Sequence, residues 1–294
     1  MTFDPALFNL GDGATAASLA TQLPGRPAPP GLIERRATAM AAKPPSDTAF
    51  TKIGGVACLV ASVPEPQCTV LHFHGGGYRM GSAAGYGPVA KRYAAATKAQ
   101  VIVPDYALAP ENPFPAALLD AMNVVSALVR DFDGRPLFVS GDSAGGGLAL
   151  ALASIMIRPL PLAGLALISP WLDLTVSADS FARCAASDVV FSREAALEAA
   201  EQYARDMDRQ NPLLSPLNAS FHGLPPVIVL ASSHEVLIDD SLSFAGRLAD
   251  ANVSFTLKVI PEAKHAWPVV EPDSPATSMA YGLLREWIDA ELAL

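Results

Sequence analysis

Cysteine is scarce in this chain: three in 294 residues, Cys58, Cys68 and Cys184, neither clustered nor in a Cys-x-x-Cys spacing. That excludes a disulfide framework and argues against a zinc-finger-type site, leaving three reduced core thiols. Basic runs are missing as well. Twenty Lys and Arg against 29 Asp and Glu give a formal net charge of -9, which opposes binding to phosphate backbones and anionic headgroups, so no nucleic-acid partner is expected. The longest apolar tract, Leu148 to Ile157, falls far short of the roughly 20 residues that span a bilayer and reads as a buried helix, so no stable membrane insertion is expected. Met1 to Phe8 carries no basic segment leading into an apolar stretch, and the expectation that follows is cytoplasmic residence.

What is present is apolar. Hydrophobic residues make up 51% and charged residues 17%, enough to bury a sizeable core and exclude wholesale disorder. The length suits one large α/β domain with a small cap better than two domains.

Short, continuously apolar segments alternate with helical ones. Strands are expected at Cys68–His74, Gln100–Asp105, Pro136–Ser140, Ala163–Ser169, Val227–Ser232 and Ser254–Ile260, after a hairpin over Phe50–Ser62 that turns at Gly54-Gly55. Helices are expected at Gly87–Thr97, Pro115–Asp131, Ala144–Ile157, Asp239–Ala251 and Ala276–Leu292. This rhythm is that of a mostly parallel sheet covered on both faces, so the fold class is α/β. Two regions depart from it. Residues 1–48 show weak helical patterning at Ala14–Leu23 and Leu32–Ala42, broken by Pro24, Pro27, Pro29 and Pro30. Residues 172–224 separate two strands by far more than one crossover, with a helical stretch from Ser192 to Arg209. Both are expected to lie over the carboxyl edge of the sheet as a lid.

The strongest chemical signal is Gly141-Asp-Ser143-Ala-Gly145, directly after an apolar strand and directly before a helix. A glycine-rich turn with an incidental serine matches the same pattern, but only a nucleophile elbow explains the strand-turn-helix context. There the hydroxyl is lifted above the sheet and the helix N-terminus favours developing negative charge. Asp142, beside it, reads as a residue that ties down the elbow. His74-Gly75-Gly76-Gly77 ends an earlier strand, where bare glycine amides can approach a carbonyl oxygen. A phosphate loop would need a following Gly-Lys-Ser/Thr, which is missing. His72 and His74 share one face of that strand without a third metal ligand nearby in sequence, so a structural role is expected and no metal site is assigned. His265 follows the last strand and completes the chain order Ser, acid, His. The acid falls after Val227–Ser232, where Glu235, Asp239 and Asp240 are available. Asp239 and Asp240 sit where a helix begins, a place carboxylates occupy to meet exposed amides.

Four segments in order carry a family resemblance: His74-Gly-Gly-Gly-Tyr-Arg-Met-Gly81, Asp105-Tyr-Ala-Leu-Ala-Pro-Glu-Asn-Pro-Phe-Pro115, Gly141-Asp-Ser-Ala-Gly-Gly146 and Ser169-Pro-Trp-Leu-Asp173. From about Val70 onward the chain resembles bacterial esterases of the hormone-sensitive-lipase family. The resemblance implies an α/β-hydrolase fold with an eight-stranded, mostly parallel sheet and a helical cap from residues 1–48 and 172–224. It implies cofactor-free hydrolysis of small-molecule esters with short to medium acyl chains. Carried onto this sequence, the oxyanion donors are the amides of Gly76, Gly77 and Ala144, with Ser143 as nucleophile and His265 as base. Where the family usually writes Asp-Pro-Leu-x-Asp, this chain has Glu235-Val-Leu-Ile-Asp239; the first position is normally the catalytic one, which favours Glu235. Ala107 stands where Arg is common, in a segment that supports the fold. Related esterases often pair through their last strand, so a homodimer is expected.

Tyr78, Trp171 and Leu237 are the expected substrate-pocket residues, with Arg79, Met80, Leu172 and Trp267 as further possibilities, though each also reads as ordinary packing. An amidase with the same triad is one rival. A small-molecule receptor on an inactivated hydrolase scaffold is another, and the intact set of Ser143, an acid and His265 argues against it.

Overall fold

The computed structural model describes residues 8, 23–40, 45–156 and 162–293. The apolar segments form one eight-stranded sheet: β1 Ala49–Ile53, β2 Val56–Ser62, β3 Cys68–Phe73, β4 Ala99–Pro104, β5 Leu137–Asp142, β6 Leu162–Ile168, β7 Val227–Ser232 and β8 Phe255–Ile260. Their order is β1-β2-β4-β3-β5-β6-β7-β8. β2 runs antiparallel to β1 and β4, and every other pairing is parallel.

The central strands β3, β5 and β7 are buried at every position, because each serves two cores. Side chains alternate across a strand. Leu137 and Val139 therefore join the core on one face while Phe138 joins the other, and along β7 Val227 and Val229 separate from Ile228 and Leu230 in the same way. The first face is covered by the helices Ala116–Arg130, Ala144–Ile155 and Ile238–Asp250, through residues such as Met122, Leu148 and Phe244. Gly87–Thr97 and Pro275–Leu292 cover the second through Tyr93, Leu284 and Ile288.

Boundaries read from the sequence lie within a residue or two of these elements, apart from one helix end and a few short helical turns. The Ser192–Arg209 stretch forms a helix only over Arg193–Ala204. Arg205 takes φ 54° and donates from Nη1 to the Pro24 carbonyl at 2.8 Å. Beyond it the Asp208 and Asn211 side chains accept from the Gln210 and Leu213 amides, local bonds that compete with helix continuation. Ser180–Arg183, Trp267–Val270 and a 3-10 turn at Pro216–Asn218 are short helical pieces that the pattern did not suggest. In the N-terminal arm a helix spans Pro30–Met40, with proline at its first position, where the missing N–H costs nothing. The Ala14–Leu23 patterning falls almost wholly outside the described residues.

The arm and the 172–224 segment meet over the β3 loop. Arg36 donates to the carbonyls of Arg79 at 2.7 Å and Ala109 at 2.6 Å, and pairs with Glu111. Tyr203, from the inserted helix, stacks on Tyr78 with ring centroids 3.9 Å apart, a contact worth about 1 kcal/mol beyond its buried area. At the far end of the sheet β8 pairs with β7 alone among the described residues, and Phe255 and Val259 are 37% and 40% exposed.

Candidate active site

The parallel strands end together, so the loops after β3, β5, β7 and β8 meet at one carboxyl edge, the place where open α/β sheets hold ligands. Ser143 caps β5 with φ 52° and ψ −123° and opens the helix Ala144–Ile155. A side chain needs help to occupy this region. The help comes from the backbone, where the Ser143 amide donates to the Ile168 carbonyl and its carbonyl accepts from the Trp171 amide, both at 3.0 Å. The turn is too tight for a neighbouring Cβ. One at Gly145 would run into the Phe73 and His74 carbonyls, and one at Gly141 into the Gly145 carbonyl.

The loop after β8 brings His265 to the serine, with Nε2 2.9 Å from Ser143 Oγ. On its other side Nδ1 lies 2.8 Å from Glu235 Oε2. Glu235 is fully buried, and its Oε1 accepts from the Ser232 amide at 2.9 Å, so the carboxyl is fixed at the end of β7. Ser232 Oγ also donates to the Ala263 carbonyl, tying the two loops together. Burial alone would depress the His265 pKa. The Glu235 hydrogen bond and charge, with Asp188 and Asp142 farther off, outweigh it and raise the pKa above its ordinary value. The Phe191 ring stacks on the imidazole at 5.6 Å.

The other two carboxyls of this segment face elsewhere. Asp239 accepts from the Ser180 amide at 2.9 Å and pairs with Arg183. Asp240 is buried and accepts from the Leu172 and Asp173 amides at 2.8 and 3.0 Å. Burial pushes its pKa up to about 8 despite those bonds.

The glycine loop after β3 is held by its carbonyls. In a trans peptide the N–H points opposite the preceding C=O, so bonds to the Gly75 and Gly76 carbonyls aim the Gly76 and Gly77 amides. His74 Nδ1 is 2.8 Å from the Gly75 carbonyl. The Gly76 carbonyl accepts from the Arg79 and Met80 amides at 3.2 and 2.9 Å. Burial lowers the His74 pKa, which keeps the ring neutral with its proton on Nδ1 facing that carbonyl. Gly76 and Gly77 adopt φ 119° and 62°, conformations that favour glycine. Their amides donate to no protein group among the described residues, leaving them free for an external acceptor. His72 turns to Ser140 and Asp142, and among the described residues no three His, Cys, Asp or Glu side chains are placed to hold a metal ion.

Ser143, His265, Gly76 and Gly77 line one cavity of about 410 Å³. Met80, Val190, Phe191, Val269 and Val270 supply its apolar walls, with Arg35, Arg79 and Glu198 at the polar side. Arg79 is buried and pairs with Glu198 at 2.9 Å. The expected pocket residues Tyr78, Trp171 and Leu237 are corrected here, since none of them lines the cavity. Tyr78 is 2% exposed and held in its stack with Tyr203, and Trp171 and Leu237 are fully buried in the core beneath. Their size suits them to the interior, and the walls fall to neighbours. The motif segment contributes Arg79 and Met80. The insertion contributes Val190 and Phe191, whose signal in the sequence is only the three-residue apolar run Val189 to Phe191 inside an irregular segment.

Similarity to known proteins follows the same lines. Residues 70–269 match a family described as having the alpha/beta hydrolase fold. The chain is similar to an esterase of Acinetobacter venetianus, 36% identical over 65% of this chain and 64% of that protein, so the match spans just under two thirds of that relative. It is similar to an acetyl-hydrolase of Streptomyces hygroscopicus, 33% identical over 74% of this chain and 75% of the relative. Among solved structures, a hormone-sensitive lipase from a metagenome library aligns with TM-score 0.83 and 31% identity, covering 98% of both chains.

Proposed function

The chain belongs to the hormone-sensitive-lipase-type esterases of the α/β-hydrolase fold, and from that membership we propose that Ser143, His265 and Glu235 are the catalytic triad of a carboxylesterase for short- to medium-chain acyl esters. One observation carries the reading: the unbroken chain from Ser143 Oγ through both nitrogens of His265 to Glu235, at 2.9 and 2.8 Å, opening on a cavity lined by glycine amides that bond to no protein group among the described residues.

In the reaction, His265 Nε2 takes the Ser143 proton as Oγ bonds to the ester carbonyl carbon. The carbonyl oxygen becomes an oxyanion held by the Gly76, Gly77 and Ala144 amides, the last at a helix N-terminus. Collapse breaks the C–O bond to the alcohol, which leaves with the proton from His265. Water then gives a proton to His265 and its oxygen to the acyl carbon, and the acid departs as Ser143 recovers its hydrogen. Glu235 holds the imidazole in the tautomer that accepts at Nε2 and stabilises its charged form.

The cavity volume supports the acyl-length reading. About 410 Å³ lies at the small end of the roughly 300–1,000 Å³ range of ligand sites, and the related Streptomyces protein is called an acetyl-hydrolase. The arm and the 172–224 segment act in this proposal as the cap, since Arg35, Val190, Phe191, Ala195 and Glu198 close the side of the cavity opposite the sheet. A screen of p-nitrophenyl esters of increasing acyl length, run across pH, tests the reading. kcat/KM is expected to peak at short to medium acyl chains and to fall as the chain outgrows the cavity; a maximum at long-chain esters would overturn the acyl-length assignment. Because only neutral His265 accepts the serine proton, activity falls as pH drops through its raised pKa. The acid limb therefore lies above the roughly 6.5 of an ordinary histidine. Faster turnover of acyl anilides than of the matching esters would favour the amidase instead.

The open edge of β8 supports pairing of two copies, since an uncovered apolar edge strand invites a partner. Light scattering should then give twice the 30.6 kDa chain mass, and a monomer mass at micromolar concentration would remove the dimer.

A further inference from the structure

Gly75 immediately precedes the Gly76-Gly77 amides, and Asp142 immediately precedes Ser143 and Ala144. One hydroxyl joins them. Tyr86 OH accepts from the Gly75 amide at 2.9 Å and donates to Asp142 Oδ2 at 2.9 Å. Asp142 Oδ1 accepts from the same amide at 3.1 Å and lies 3.2 Å from His72 Nε2. The loop and elbow approach so closely that a Cβ at Gly75 would run into Asp142 Oδ2.

We propose that Tyr86 is a positioning residue for ester hydrolysis: its hydroxyl clamps the glycine loop to the nucleophile elbow and so sets the separation between the Gly76 and Gly77 donors and Ser143. This inference rests on the reading of those amides and Ser143 given above. The physical need for a clamp is plain. A run of three glycines has no side chains to stiffen it, and Gly76 and Gly77 sit at positive φ; the carbonyl bonds from His74, Arg79 and Met80 aim the amides within the loop, and bonds to Gly75 N–H from outside it set where the loop sits against the elbow. Oxyanion donors work because they are already aimed before charge develops. Burial, and then the charge of Asp142, push the Tyr86 phenol well above its ordinary pKa, so the hydroxyl keeps its proton and remains a donor to Asp142. Tyr86 is 8% exposed and lines the cavity, yet the proposal asks nothing of it toward the substrate. Removing the hydroxyl leaves Gly75 N–H with only its longer bond and Asp142 Oδ2 without its donor among the described residues; Tyr106 OH still donates to the His74 carbonyl at 2.7 Å, so the loop keeps its fold while its seating on the elbow loosens.

Tyr86→Phe in the full chain tests this with p-nitrophenyl butyrate and a boronic acid that forms an anionic tetrahedral adduct on the serine. A misplacement of about 1 Å costs up to roughly 10²-fold, so kcat should fall about 10- to 100-fold while KM stays within about threefold. Boronate affinity should weaken by the same factor as kcat/KM, a change that a purely structural role would not produce. Asp142→Asn turns a second N–H donor toward Tyr86 OH and should give the same signature; the double variant should be no worse than the poorer single one. If Tyr86→Phe fails to fold, Asp142→Asn carries the test. A kcat within about twofold of wild type in a folded variant, or a kcat loss with unchanged boronate affinity, overturns the clamp. Should that happen while Ser143→Ala is inactive, the clamp alone falls; an active Ser143→Ala removes the reading beneath it.

Discussion

Ser143→Ala is expected to lower kcat on short p-nitrophenyl esters by about 10⁴- to 10⁶-fold, because it removes the covalent step from a triad whose members act as a unit. The residual rate would come from the glycine amides and the cavity. The fold should survive, since the backbone bonds that hold the turn come from the Ser143 amide and carbonyl and the hydroxyl's one partner among the described residues is His265. Losing that hydrogen bond costs about 1 kcal/mol, so Tm should move by a few degrees at most. Steady-state kinetics and a melting curve on the same preparation separate the two effects. In the wild type a fluorophosphonate should add to Ser143. Undiminished turnover in the variant, or an adduct mapped by mass spectrometry to another residue, would sink the mechanism.

The frame of this site was legible because backbone rules set it. Strand-turn-helix spacing forces a crowded turn at Ser143, and glycine is needed wherever another carbonyl approaches, as Phe73 and His74 do at Gly145. Short runs such as Val227–Ser232 read as strands because both faces are buried. Side-chain destinations were less legible. Trp171 and Phe191 are both large and apolar, yet one is fully buried and the other lines the cavity against His265; what divides them is the path of the inserted segment, which periodicity does not encode. Tyr86 carries no local signal either. Its role depends on Gly75 and Asp142 arriving at one hydroxyl from strands β3 and β5, a long-range coincidence. The helix from Arg193 stops at Ala204 because Arg205 finds a partner in the N-terminal arm, another tertiary effect.

Glu235→Gln should cost about 10⁴-fold in kcat, the scale seen when a triad acid is replaced by its amide. The substitution keeps the volume, and the amide oxygen can still accept from Ser232 N–H. That leaves an NH₂ facing His265 Nδ1, which then must accept, and the ring's proton moves to Nε2, where it faces the serine instead of receiving from it. Asp239→Asn should act quite differently. Asp239 pairs with a half-exposed Arg183 and binds the Ser180 amide, anchoring the inserted segment, and an exposed ion pair of this kind is worth about 0–1 kcal/mol. Its kcat should stay within a few-fold of wild type. The pH profile supplies a second reading. Glu235 is what raises the His265 pKa against burial, so in Glu235→Gln the desolvation that remains pulls it down and the acid limb of the residual kcat/KM moves to lower pH. In Asp239→Asn the limb stays where it is. The opposite ranking of the two variants in kcat would transfer the triad role to Asp239, and a limb that moves in neither would leave Glu235 a packing residue beside the histidine.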